Sequence, residues 1–226
     1  MNRRVATKRK VLITILAGLL GNLLGFLSIS LMSQAPQLAF DLSHLSTFTV
    51  ALFFGPYCGL LAGGIVGIYS YFYFGVLGAY GPFWGLAIII GKALTGYTCG
   101  LIRSRVRPYL TVAVSYIPEF IFSVVFYTIV GTRLAPDTMT PQLVSDILFK
   151  GWVEILILSF ILDTIFRREI LEAAIVLLEI FIVALLVHKE HTHTLALLLG
   201  IVFVIMLTVD VVRERIRVEE PEGKDP

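Results

Sequence analysis

Three ionisable residues stand inside apolar stretches of this chain: Lys92, Glu119 and Glu154. A charge in hydrocarbon costs a few kcal/mol by insertion scales, so such groups face the interior of a helix bundle rather than lipid. One amine and two carboxylates on three consecutive helices would converge as a network with a net negative charge. Such a network either lines a pocket for a polar ligand or forms a structural ion pair that fixes helix packing; the sequence supports both readings. Lys150 lies four residues before Glu154, on the same helix face. Tyr116 lies three residues before Glu119, and Tyr80 and Trp84 stand at the outer start of the helix that carries Lys92. Asp41 and His44 open another helix at that same surface. Carboxylates, amines and aromatic faces together suit a small, planar, polar molecule. For the aromatic rings an interfacial belt is the alternative. The expected substrate-binding set is Asp41, His44, Tyr80, Trp84, Lys92, Glu119, Lys150 and Glu154. Asp163, Glu172 and Asp210 sit near arginines and are expected to form interfacial ion pairs, whereas Glu179 has no evident partner.

Other chemistries lack their residues. No HExxH, GxSxG or phosphate-binding P-loop occurs. Cys58 and Cys99 lie in apolar helices and read as small packing residues. His188, His191 and His193 form a short cluster that reads as a solvated turn rather than a metal site. The expectation is a protein that is not an enzyme, with no metal and no cofactor. An intramembrane acid–base pair of Glu119 and Glu154 is a third option, and it requires the two carboxylates at reacting distance.

The elements that would position these residues are transmembrane helices. The 226 residues are 57% hydrophobic and 15% charged, and the mean hydropathy is +0.88, far too apolar for a soluble domain. Apolar runs reach the roughly 20 residues that cross a bilayer as a helix, and the strict alternation of a membrane β-barrel is missing. The runs predict spans over 11–32, 42–54, 57–74, 84–102, 109–130, 144–166, 170–187 and 194–212. The second is short, and Pro118 predicts a kink in the fifth. Gly55, Gly59, Gly63 and Gly67 recur every four residues, so a neighbouring backbone can approach that face closely. With the N-terminus inside, fourteen Lys and Arg fall on the inner side and two, Arg133 and Lys189, on the outer. This bias predicts a multi-pass protein of the plasma membrane with both termini cytoplasmic.

The stretch Leu52-Phe53-Phe54-Gly55-Pro56-Tyr57-Cys58-Gly59-Leu60-Leu61-Ala62-Gly63, after a first span with an Ala17-xxx-Gly21 step, resembles the substrate-binding S components of energy-coupling factor (ECF) transporters. A G-P-x-x-G-x-x-x-G hairpin also occurs in some membrane sensor domains. The likeness to S components implies an all-α fold: a six-helix core over 1–168, here followed by an additional helix pair over 169–213 and a charged tail over 214–226. It implies high-affinity capture of a vitamin or related micronutrient, with docking on a transmembrane coupling subunit and ATPases. Ala17 and Gly21, continued by Gly25, would supply the docking stripe. A membrane ligand sensor or scaffold that reports to a partner through the last two spans is the alternative.

Overall fold

The computed structural model describes residues 3–31, 41–78, 80–105 and 107–166. The expected helix pair and tail after residue 168 lie outside the described residues, as do Glu172, Glu179, Asp210 and the three clustered histidines. The described chain is all helical. Its rods are α1 (Arg3–Leu31), α2 (His44–Phe54), α3 (Pro56–Val76), α4 (Pro82–Ile102), α5 (Pro108–Leu134) and α6 (Pro141–Phe166). Four of them begin on a proline, whose fixed φ suits a first helical turn and whose missing N–H is not needed there. Four rods are long and apolar enough to cross a membrane: α1 through Thr7–Ser30, then α3, α4 and α5. The chain is therefore a multi-pass membrane protein. The 11 residues of α2 reach only about 16 Å at 1.5 Å per residue. The 26-residue α6 carries Asp146, Lys150, Glu154 and Asp163 and is not among those four.

The main packing axis is α3 on α4. A Cβ at Gly59 would collide with the Gly96 carbonyl, one at Gly63 with the Lys92 carbonyl, and one at Gly67 would come within 2.7 Å of the Ile89 Cα. Further along, Gly75 of α3 faces Gly85 of α4. The ladder thus brings two backbones together, with no side chain between them. Gly55 has a different task from its neighbours. It breaks the chain between α2 and α3 at φ +95°, a conformation that glycine adopts without strain. The Arg103 guanidinium donates to the Leu52 carbonyl at 3.2 Å and closes the end of α2.

Helix α1 lies against the same hairpin, and its small-residue stripe is used up there. Gly21 faces Val66 and Ser46, Gly25 faces Asp41, Ser43 and Tyr69, and the Ala17 carbonyl accepts from Ser46 Oγ. The expectation that Ala17, Gly21 and Gly25 dock a partner is corrected on this ground: their face is internal, and the outward face of α1 includes Leu12, Leu16, Leu19, Leu20, Leu23 and Phe26. Asn22 adds a polar tie. Its amide donates to the Ile65 carbonyl at 2.8 Å, and its oxygen accepts from the Tyr69 N–H at 2.9 Å. Those two backbone groups are four residues apart, the pair that bond to each other in an uninterrupted α-helix.

Candidate functional site

Three local irregularities aim side chains into the space between α2, α3, α4, α5 and α6. The first is the break before Pro118. A proline inside a helix removes one backbone donor and clashes with the carbonyl four residues earlier. The α-helix of α5 accordingly stops at Ser115 and restarts at Ile117, with Tyr116 between. Tyr116 lies over Gly151 of α6, and Glu119 lies against Gly91 of α4; a Cβ at either glycine would fill that space. The second and third are π-helical segments, Tyr71–Val76 at the end of α3 and Val124–Gly131 in α5. Segments of this type are rare and are often found at functional sites. They contribute Phe74 and Tyr127 to the wall.

A cavity of about 90 Å³ results, lined by Asp41, His44, Lys92, Glu119, Lys150 and Glu154 among others. Asp41 is its best-held member. Its Oδ2 accepts from Lys92 Nζ at 2.5 Å and from Ser70 Oγ at 2.6 Å, and its Oδ1 accepts from the Ser43 N–H at 3.0 Å. Burial alone would raise the Asp41 carboxyl, but Lys92, with His44, holds it well below the usual carboxylate range. Lys92 also donates to Ser43 Oγ at 2.6 Å. Glu154 Oε1 accepts from the Asp41 N–H at 2.6 Å, and Glu119 accepts from Thr95 Oγ1. Lys150 Nζ stands 4.8 Å from the centre of the Phe74 ring. Tyr80 stacks on Phe74 at 5.7 Å and meets Tyr127 edge-on at 6.3 Å. Burial, with Glu154 and Asp146 nearby, pushes the Tyr80 phenol up, so it remains a neutral donor. His44 is 4% exposed and stacks on Phe48 at 5.6 Å, and its Nδ1 has no hydrogen-bond partner.

The structure thus brings seven of the eight expected site residues to one cavity. Trp84 is the exception: it packs in an apolar cluster with Ala87, Tyr127, Met139 and Val144. It touches the site indirectly, since its carbonyl accepts from Tyr127 Oη at 3.2 Å. Lys92 pairs with Asp41 rather than with either glutamate, a partnership across 51 residues that no spacing rule signals. Ser70, Phe74 and Tyr127 also line the cavity and are not among the expected binding residues. Ser70 had a signal, as a polar residue at the end of an apolar glycine ladder. Phe74 had one too, as the last of the aromatic run Tyr69, Tyr71, Phe72, Tyr73 and Phe74 that ends the ladder; Tyr127 had none, because it looks like any interfacial aromatic.

The family model described as the 5TMR of 5TMR-LYT matches residues 1–168. The chain belongs to the 5TMR-LYT family. That domain is the membrane sensor domain of LytS-type histidine kinases. Comparison with curated proteins and with solved structures gives no match. Membership of the 5TMR-LYT family overturns the likeness to ECF S components, and with it the roles of vitamin capture and of docking on a coupling subunit and ATPases. The G-P-x-x-G-x-x-x-G hairpin misled because it encodes close packing of α3 on α4. Any compact membrane bundle needs such packing, so the motif reports a contact rather than an activity.

Proposed function

We propose that this protein is a membrane sensor whose 5TMR-LYT domain, residues 1–168, binds a small polar ligand in the intramembrane cavity. The observation that carries this reading is the convergence of Asp41, His44, Lys92, Glu119, Lys150 and Glu154 on one cavity walled by five different rods. A ligand there touches α2 to α6 at once, so its differential affinity for two arrangements of the bundle would shift their populations. In this reading the residues after 168, with their predicted helix pair and charged tail, pass that shift to a signalling partner, and both termini face the cytoplasm across the plasma membrane. The site binds and reports; no reaction is assigned to it.

Native mass spectrometry of the purified full chain tests the reading. A small molecule should co-purify and be lost in Glu154→Gln. Co-purification from membranes should recover a signalling protein. Recovery of a transporter complex in its place, or a wild-type spectrum identical to that of the variant, refutes the sensor.

A further inference from the structure

The charges around the cavity do not balance. Asp41, Glu119 and Glu154 face it with Lys92 and Lys150, so three carboxylates meet two amines and one negative charge is left over when all are ionised. Lys92 is committed to Asp41 at 2.5 Å. Lys150 stands over the Phe74 ring at 4.8 Å. Among the described residues neither Glu119 nor Glu154 forms an ion pair; each accepts one hydrogen bond, from Thr95 and from the Asp41 N–H. A buried carboxylate among apolar helices is costly unless a proton or a cation neutralises it, and the cavity offers space for one positive charge in that role.

The walls indicate which kind of cation. Among the described residues no three of His, Cys, Asp and Glu come together as metal ligands. The rings of Phe74, Tyr80, Tyr116 and Tyr127 surround the space, and aromatic faces attract ammonium groups. His44 supplies a second, independent mark of a ligand. It is 4% exposed, lines the same cavity, and its Nδ1 is unpartnered, although buried polar atoms are ordinarily satisfied. The cavity of about 90 Å³ is smaller than the roughly 150 Å³ that admits benzene.

We propose that the ligand is a small primary ammonium compound, its charged head held between Glu119 and Glu154 and its other end presenting a hydrogen-bonding group to His44 Nδ1. This deepens the sensor reading and rests on it. Titration calorimetry on the purified full chain, with ethylammonium, ethanolamine and propionate as probes, tests it. Both amines should bind and propionate should not, and ethanolamine should bind more tightly through its hydroxyl. Glu119→Gln should weaken the amines by about tenfold or more, and Lys150→Gln should strengthen them by about tenfold, since it removes a repelling charge from the same cavity. The Lys150 variant keeps the test decisive if Glu119→Gln fails to fold. Binding of propionate alone, weakened by Lys150→Gln, overturns the amine assignment and leaves the sensor standing. No binding of any probe, with no small molecule in the native mass spectrum, overturns both.

Discussion

Lys92→Met probes the pair that joins the start of α2 to the middle of α4. The Lys92 and Asp41 side chains are 4% and 6% exposed, and Nζ and Oδ2 are 2.5 Å apart. At an effective dielectric constant of about 20, two unit charges at that distance attract by about 7 kcal/mol. Desolvation of several kcal/mol per ion offsets much of this, so the pair adds little net stability over an apolar replacement. Breaking it is a different matter. Lys92→Met leaves Asp41 buried and charged, with only Ser70 Oγ and the Ser43 N–H as donors. A broken buried pair costs about 3–5 kcal/mol. The double variant Asp41→Asn/Lys92→Met removes the orphaned charge and should recover most of that loss. Reversible SDS-driven unfolding in mixed micelles, arranged as a double-mutant cycle, measures both quantities. A loss of about 1 kcal/mol or less for Lys92→Met, the value of an exposed pair, would refute the argument, as would a double variant less stable than the single.

Three further outcomes are expected. Gly63→Leu should prevent recovery of a monodisperse protein, because its side chain would enter the Lys92 backbone, whereas Gly64→Ala, with nothing within 4 Å of the new Cβ, should raise stability by about 0.5–1 kcal/mol, the helix-interior difference between the two residues; size-exclusion chromatography and thermal unfolding compare them. Asn22→Leu removes both ties to α3 and should cost about 1–2 kcal/mol by the scale of interhelical hydrogen bonds in membranes, read as a lower thermal midpoint. The Asp41 carboxyl is held below its unfolded value, so its stabilising contribution is complete above the unfolded pKa of about 4 and is lost as pH falls below it; Asp41→Asn should flatten that acid limb in unfolding midpoints measured from pH 6 to 3.

Much of the architecture was legible because a bilayer leaves few choices. Apolar runs of about 20 residues must be helices; the spans read from hydropathy over 11–32 and 84–102 coincide with membrane-crossing parts of α1 and α4, and the run over 144–166 is helical as α6 without being one of the four candidate spans. The site was legible for a related reason: Lys92, Glu119 and Glu154 stand out because charge is rare in apolar helices. Trp84 and Tyr127 show where this stops. Trp84, two residues into α4, is expected at the site from the sequence, whereas Tyr127, inside the π segment of α5, is not. The local widening of α5 turns Tyr127 to the cavity, and Trp84 turns away into the cluster around Met139. The small-residue stripe of α1 was legible as a contact surface but not as an internal one. Spacing shows that a face allows close approach and says nothing of whether the neighbour is the same chain.

The sequence by itself determined that this protein crosses the membrane several times, that α3 offers a bare glycine face, and that a few charges must turn inward. Each of these follows from one residue's cost in hydrocarbon or from the absence of its Cβ, and needs no knowledge of neighbours. Only the tertiary structure decided that Lys92 belongs to Asp41, that neither glutamate forms an ion pair among the described residues, and that the α1 stripe is already occupied. These are properties of pairs, set when helices far apart in sequence pack within hydrogen-bond distance, and no periodicity along a single helix encodes them.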